Sequence, residues 1–510
     1  MLLIVVGAAA STQPQYPVGA AASTQPQYPV GAAASTPLQY PVGAAVASIP
    51  PQYPAYYRTA IHDQPVDHFN GLDNSTFHER YLINDTHWGG PGSPILFYTG
   101  AEGSGVPAIF THSGYLVDVV AVELKALVVF AEMRFFGKSM PFGDESGDHT
   151  AMRLGLLSIE QTLADYVALI GALKAKLHAT RSPVIAVGGS LAGSLSYFLR
   201  SKYPSVVAMA LASSAPILGY PGLTDPFGWY RVSTHAYSTQ APKCPALVRR
   251  GFTALHAASA PAITKAYNTC TPVSEPIRGE VVQYLTGALT GRLASMAESA
   301  YPLRYSPIVS ACAAIERAAG VAALAPVLVA PGSCLNISSV ALRDTAAIGA
   351  TLPGRHGPLA KNVRAPGGAL SAGDAWYYLA CSEIIHPIAA NNVTDMFPPQ
   401  PWSVDGLRRA CEGKFGVTPR PGWLPISMGL DGGIDALARS ASRVIFTNGL
   451  LDPWSAQSVT RNASSSLIAI NIVDGSHHSD LGAPPNPTVS ADDSPSLKAA
   501  RATQLVWLRR

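Results

Sequence analysis

The sequence predicts an α/β fold: a mostly parallel sheet with helices on both faces, and a second, mainly helical unit inserted between two sheet strands. Three observations carry this expectation. Short apolar, β-branched runs alternate with helical stretches, the pattern of strand–helix–strand units. Ala126–Phe130 and Val184–Val187 are continuously apolar, as strands buried on both faces must be. Between 220 and 433 that alternation gives way to Ala-rich helical stretches and Pro/Gly loops, and all six cysteines fall there.

Taken in order, the chain starts with a short apolar run, Met1–Val6, that lacks a basic region before it and makes a poor signal peptide. Four copies of a twelve-residue unit close to GAAASTQPQYPV follow: Gly7–Val18, Gly19–Val30, Gly31–Val42 and Gly43–Pro54. Two prolines per copy and almost no charge preclude a packed helix or sheet, so 1–60 reads as a disordered, partly polyproline-II leader. Globular composition begins near Ile61. Tyr81–Asn84, Pro94–Thr99 and Ala126–Phe130 read as strands. Ser158–His178 reads as a helix capped by Ser158, with Leu163, Tyr166, Val167, Ile170, Leu173 and Leu177 on one face. Val184–Val187 is a strand, Leu191–Lys202 a helix, and Val206–Ala212, Val444–Thr447 and Leu467–Val473 complete the strands. The expected division is a sheet domain over 61–219 and 434–510, with the helical insertion over 220–433.

Composition bounds the function. The 510 residues are 48% hydrophobic and 13% charged, about half the usual charged share of roughly 25%. A chain this long and apolar buries a large core. The net charge is +3, without a run of five like charges, which argues against nucleic acid as a partner. Nor is there an integral membrane segment, since no apolar stretch reaches about 18 residues. The nearest, Tyr115–Ala131, is broken by Asp118, Glu123 and Lys125.

Chemistry enters at Val184-Ile-Ala-Val-Gly-Gly-Ser190-Leu-Ala-Gly. Strand, tight turn and helix form the context of a nucleophile elbow, in which a strained turn lifts a serine hydroxyl above the sheet edge. The usual final glycine is replaced by Ala192, with Gly193 after it. A serine needs a histidine to take its proton, and that histidine needs an orienting carboxylate. In elbow folds both partners follow in the order Ser…Asp…His. Asp452 stands just past the run Val444–Thr447, and His477 and His478 follow Leu467–Val473. Each sits at a strand's carboxyl end, where sites in such sheets form. These arguments do not separate His477 from His478.

Cys244, Cys270, Cys312, Cys334, Cys381 and Cys411 include no C-x-x-C pair. An even count without metal spacing fits three disulfides in an oxidising compartment; buried reduced thiols are the alternative. Five N-x-[ST] sequons, at Asn74, Asn84, Asn336, Asn392 and Asn462, favour the secretory pathway as glycosylation acceptors.

From Val66-Asp-His-Phe to Leu481 the chain resembles the serine peptidase family of lysosomal Pro-Xaa carboxypeptidase and dipeptidyl peptidase II. The resemblance rests on Phe97–Gly103, Phe130–Ser139, Leu157–Asp165, Asp395-Met-Phe-Pro-Pro399 and Asn448-Gly-Leu-Leu-Asp-Pro-Trp454. It implies an α/β-hydrolase fold with an inserted, mainly helical, disulfide-bonded cap. It assigns Ser190 as nucleophile, Asp452 as orienting acid and His477 as base. It also implies the pairs Cys244–Cys312, Cys270–Cys334 and Cys381–Cys411; a fourth family bridge is absent, as no cysteine lies in Ile388-Ala-Ala390. A prolyl pocket containing Trp454 is implied as well. The chain departs from the family at Met133, where histidine is usual, and at Ala101-Glu-Gly-Ser104, where Asn-Glu-Gly-Asp is usual. Ser194 and His386 align with pocket methionines.

The expected function is that of a serine exopeptidase cleaving peptides beside proline, Pro-Xaa carboxypeptidase-like, in the lysosome, vacuole or extracellular space. It needs no metal or organic cofactor, and a homodimer is among the assemblies the resemblance allows. The N–H of Leu191 and the Gly100–Gly103 loop are the expected oxyanion donors. Glu102 and Glu383 are candidates to hold a substrate amine and Arg134 a carboxylate; the plainer reading of each is an ion pair or a solvated side chain. A dipeptidyl peptidase II-like enzyme, a lipid or ester hydrolase and a non-catalytic secreted binding protein are the alternatives. An aspartate partner raises a histidine's pKa above ~6.5, while burial under a cap lowers it.

Overall fold

Continuous apolar runs make the centre of the sheet. The computed structural model describes residues 56–100, 102–103, 105–143, 151–301, 306–337, 372–482 and 493–510; the twelve-residue repeats lie outside them. The described strands are β1 (Arg58–Pro65), β2 (Thr76–Asn84), β3 (Ile95–Tyr98), β4 (Leu127–Ala131), β5 (Val184–Gly189), β6 (Met209–Ser213), β7 (Val444–Gly449) and β8 (Leu467–Ile472). They form one sheet in the order β1-β2-β4-β3-β5-β6-β7-β8. From β4 to β8 neighbours are parallel, and β1 and β2 add an antiparallel edge. Every residue of β3 to β7 is buried, as helices on both faces require.

The helix Ile159–Lys176 is capped by Ser158, whose Oγ accepts the Gln161 N–H at 3.2 Å. It buries Leu163, Tyr166, Leu169, Ile170 and Leu173 against the sheet. Leu191–Lys202 connects β5 to β6, so Ser190 lies at a strand's carboxyl end. β6 starts at Met209 rather than Val206, because the N–H groups of Val206 and Val207 still bond Tyr203 in the preceding turn.

β1 shows no apolar alternation: in Arg-Thr-Ala-Ile-His-Asp-Gln-Pro the inward-facing Gln64 is fully buried, while Ile61 is exposed. Its partner β2 buries Glu79, whose carboxylate accepts from Gln64 Nε2 at 2.6 Å. Burial, together with the nearby Asp165 charge, pushes the Glu79 pKa well up. A strand that buries polar groups carries no period-2 signal. The first described strand therefore starts at Arg58, inside the segment expected as leader.

Residues between β6 and β7 divide their apolar side chains between two cores. Helices Gly228–Gln240, Cys244–Ala257, Ala260–Ala266, Arg278–Glu298 and Pro307–Arg317 bury Trp229, Tyr237, Ile263, Tyr284 and Leu289 together. Helices Ala372–Ser382 and Val404–Phe415 instead set Trp376, Leu379, Leu407 and Phe415 into the core on the sheet. Disulfides join Cys244 to Cys312, Cys270 to Cys334 and Cys381 to Cys411, with Cα–Cα distances of 5.6, 5.0 and 5.6 Å. No described helix is long and apolar enough to cross a membrane. Asn74, Asn336, Asn392 and Asn462 are exposed. Asn84 is not: it is 7% exposed at the end of β2, with Oδ1 accepting the Thr86 N–H, which removes it from the accessible glycosylation acceptors.

Cys381 and Cys411 are 30 residues apart and staple Ala372–Ser382 to Val404–Phe415. The Cys381→Ser/Cys411→Ser variant is expected to lose roughly 3–4 kcal/mol of stability in the chain-entropy model, measured by denaturant unfolding. An unchanged unfolding midpoint would show that packing of these two helices alone holds the segment.

Candidate active site

The turn after β5 is built from small residues because two backbones cross there. A Cβ on Gly188 would lie 2.3 Å from the Ala192 carbonyl carbon, and one on Gly193 2.9 Å from the Ser213 carbonyl oxygen. Alanine is tolerated at 192 because its close neighbour, 188, is glycine. Ser190 itself has φ 59° and ψ −127°, a conformation that costs a non-glycine residue about 1–3 kcal/mol. Its N–H is tied to the Ser213 carbonyl at 2.9 Å. Leu191 opens the helix, so its N–H has no intrahelical acceptor.

Asp452 is fully buried just beyond β7. Its Oδ1 accepts the Trp454 N–H at 3.1 Å, which fixes the carboxylate, and Oδ2 accepts from His477 Nδ1 at 2.8 Å. With Nδ1 bonded to a carboxylate, His477 carries its proton there and offers Nε2. Burial acts to lower the His477 pKa, but the Asp452 charge and hydrogen bond outweigh it. With Glu298 and Glu102 adding their charges, the value rises to about 9. His478 has another part: its ring packs on Gly189, its N–H bonds Ser214 Oγ at 2.8 Å, and its φ is 37°. Burial and the neighbouring His477 push its pKa down to about 3, so it stays neutral. The geometry thus separates the two histidines that sequence alone leaves equivalent.

Ser190, His477 and His478 line one cavity of about 360 Å³. The Ser190 hydroxyl and His477 form no hydrogen bond in this structure; such contacts are often long before substrate binds. The two loops are held in register by Asp480, which is 1% exposed. It accepts from Ser213 Oγ at 2.5 Å, Thr447 Oγ1 at 2.7 Å and Gln504 Nε2 at 2.6 Å. Arg501 Nε adds a bond to the Asp480 carbonyl at 3.0 Å. Gln504 and Arg501 belong to the helix Pro495–Leu508, which sequence reading passes over. Ser213 is the residue whose carbonyl holds the Ser190 N–H, so Asp480 connects the histidine loop to the elbow.

The cavity lining includes the apolar and aromatic side chains Leu191, Phe198, Pro216, Tyr220, Trp376 and Trp454 together with Tyr98, Glu102 and Glu298. Trp454 Nε1 donates to Glu298 Oε1 at 2.8 Å. Glu298 ends the helix Arg278–Glu298, distant in sequence from every motif. Only its closeness to Trp454 and His477 in space reveals it. Gly100 sits where a Cβ would meet the Ala131 carbonyl oxygen at 2.4 Å; Ala101 and Ser104 of its loop lie outside the described residues.

Two of the three candidates for holding a substrate end lie away from the cavity, and their contacts fit the plainer reading of each as part of the scaffold. Arg134 is fully buried, bidentate to Asp165 at 2.7 and 2.8 Å, and also bonds the carbonyls of Val66, Leu156 and Pro65. Glu383 is 2% exposed and accepts the Ile159 N–H at 2.7 Å at the start of Ile159–Lys176. Neither lines the cavity. Met133 is buried in the sheet core.

The sequence model of the serine carboxypeptidase S28 family matches residues 64–504. The chain is 32% identical over 452 residues to a lysosomal Pro-X carboxypeptidase of Mus musculus, covering 84% of each chain. It is 32% identical over 482 residues to the protein of that name from Homo sapiens, covering 89% of this chain and 88% of the relative. It is 28% identical over 475 residues to a thymus-specific serine protease of Homo sapiens, covering 86% of this chain and 84% of the relative. The family match extends past Leu481, where the motif resemblance stops, into the C-terminal helix.

Proposed function

Because the chain belongs to the serine carboxypeptidase S28 family and is a serine-type exopeptidase, we propose that it cleaves peptides beside proline, as a Pro-Xaa carboxypeptidase-like enzyme. Ser190 is the nucleophile, His477 the base and Asp452 the orienting acid. The observation that carries this reading is the 2.8 Å His477–Asp452 bond on the cavity that also holds the strained Ser190. His477 Nε2 takes the Ser190 hydroxyl proton as Oγ attacks the carbonyl carbon. The oxyanion is held by the Leu191 N–H and a donor from the Gly100–Gly103 loop. His477 then returns the proton to the leaving amine, and water, deprotonated by the same histidine, releases the acyl group. The apolar and aromatic part of the lining, Trp454 included, receives the proline ring. Three disulfides and the names of the curated relatives favour the secretory pathway, with a lysosomal, vacuolar or extracellular destination.

A second reading has its own support. Among the described residues lining the cavity there is no Lys or Arg, whereas Glu102 and Glu298 are there. Amine capture needs acids and carboxylate capture needs cations, so this charge set favours removal of an N-terminal dipeptide. Mass spectrometry on one proline-containing peptide, acetylated at its N-terminus or amidated at its C-terminus, decides between them. The first reading expects cleavage of the acetylated form and none of the amidated form; the reverse installs the dipeptidyl reading. Cleavage of nitrophenyl esters with neither peptide touched would mean an ester hydrolase.

A further inference from the structure

Most of the cavity wall beside Ser190 is apolar, yet two polar side chains of its lining outside the triad, His386 and Ser194, each keep an atom without a partner among the described residues. His386 is 7% exposed and lines the cavity. Its Nδ1 donates to the Gly219 carbonyl at 2.6 Å, and a carbonyl only accepts, so Nδ1 carries the proton and Nε2 is left with a bare lone pair. Burial pushes the His386 pKa down to about 4, so the ring is neutral and Nε2 remains an acceptor. Nε2 bonds no described residue. The ring is held at 5.3 Å from Trp454 and 5.8 Å from Tyr220. With its Nδ1 edge turned to Gly219, Nε2 is the polar atom that His386 offers to the cavity.

Ser194 lies one helical turn after the nucleophile, on the same face of Leu191–Lys202. It is 5% exposed and lines the cavity. Its N–H bonds the Ser190 carbonyl at 3.1 Å, while its hydroxyl bonds no described residue. A buried serine in a helix ordinarily satisfies its hydroxyl on the carbonyl four residues back, as Ser196 does on Ala192 at 2.9 Å. Ser194 does not. Neither atom is sealed in the protein, so the cost arises when a ring enters: one that covers both atoms without pairing them leaves a buried acceptor and a buried hydroxyl unmatched.

We propose that this pocket selects a proline ring bearing a hydroxyl, of the 4-hydroxyproline class, over unmodified proline, with His386 Nε2 accepting from the ring hydroxyl and Ser194 Oγ as its second partner. The inference rests on the reading of this cavity as the proline site and names the ring it takes. Pockets that hydrogen-bond a substrate hydroxyl reject analogues lacking it, because their own polar atoms are left unpaired. The apolar frame accepts the ring carbons; the two polar atoms distinguish the substituted ring.

The test uses the full chain and pairs of peptides identical except for proline or 4-hydroxyproline at the residue that supplies the acyl carbonyl. Each pair is made with a free N-terminus and with a free C-terminus, so the result does not depend on which end is recognised. The wild type is expected to show kcat/KM at least about tenfold higher on hydroxyproline, and His386→Met and Ser194→Met should each bring that ratio toward one. Ser194→Ala provides the same reading where a larger residue prevents folding, and each variant's melting temperature is checked. A wild-type ratio of one or below overturns the proposal, as does an unchanged ratio in the variants. Faster cleavage after alanine than after either imino acid would overturn the proline reading, and this inference with it.

Discussion

Ser190→Ala is expected to lower kcat by about 10⁶-fold and to abolish labelling by a fluorophosphonate probe, and Asp452→Asn to lower kcat by about 10⁴-fold. The two losses differ because the residues do different things. Removing Ser190 removes the atom that attacks, leaving only the oxyanion donors and binding. Asp452→Asn keeps the shape but sets the wrong imidazole tautomer, since an amide can donate toward Nδ1 and so drive the proton to Nε2. The acid limb of kcat/KM provides an independent check. With the His477 pKa at about 9 in the free enzyme, activity should fall as pH drops through that value, because the imidazolium cannot take the serine proton. Asp452→Asn removes the dominant raising influence and leaves burial, which lowers the value, so the residual activity should extend to lower pH. Glu298→Gln should shift the limb in the same direction by less. For the same reason a cationic substrate end bound beside Glu298 and Glu102 would put the limb of kcat below that of kcat/KM. The raised value also makes the His477–Asp452 pair stabilising: that contribution is fully present below about pH 6.5 and is lost as pH rises through about 9. An acid limb that stays in place in both variants would remove His477 from its role as base.

Which parts of the site the sequence reveals follows from how local each signal is. The elbow is legible because strand, glycines, serine and helix are contiguous, and the steric reason for the glycines acts within a few residues of Ser190. Asp452 and His477 are legible because each immediately follows an apolar strand. Choosing between His477 and His478 requires tertiary contacts: Asp452 faces one ring and Gly189 the other. β1 is hidden because it is an edge strand whose inward positions include Gln64, which donates to Glu79 Oε2 rather than packing as a hydrophobe. The helix Pro495–Leu508 is hidden for a related reason. Arg501 and Gln504 are among its buried residues, so its inward face does not read as an apolar stripe. Arg134 and Glu383 show the opposite limit, since sequence alone leaves a substrate ligand and a buried ion pair both open for each. A charged side chain becomes a substrate ligand only where the fold turns it to the cavity, and here both are committed to the scaffold.

The same hidden helix leads to the second large effect. Asp480→Ala is expected to lower kcat by about 10²-fold with little change in KM, because Asp480 touches no substrate but sets the spacing of two loops that do. Its carboxylate gathers Ser213 from the elbow side, Thr447 from β7 and Gln504 from the C-terminal helix. Ser213 in turn fixes the Ser190 backbone. Losing the carboxylate frees the His477 loop relative to Ser190, and a displacement of about 1 Å between reacting groups costs about 10²-fold. It also leaves three buried donors unmatched, at about 1–3 kcal/mol each, so the variant should melt at lower temperature. Stability and catalysis are separable by Gln504→Ala. That change removes one donor to Asp480 but keeps the Ser213 and Thr447 bonds, so it should lower the melting temperature with a much smaller fall in kcat. Fluorophosphonate labelling of Ser190 should slow in Asp480→Ala in step with kcat, since both depend on His477 reaching the hydroxyl. If Asp480→Ala melts early yet keeps kcat and labelling rate, Asp480 is a staple of the fold and the register of nucleophile and base is set elsewhere.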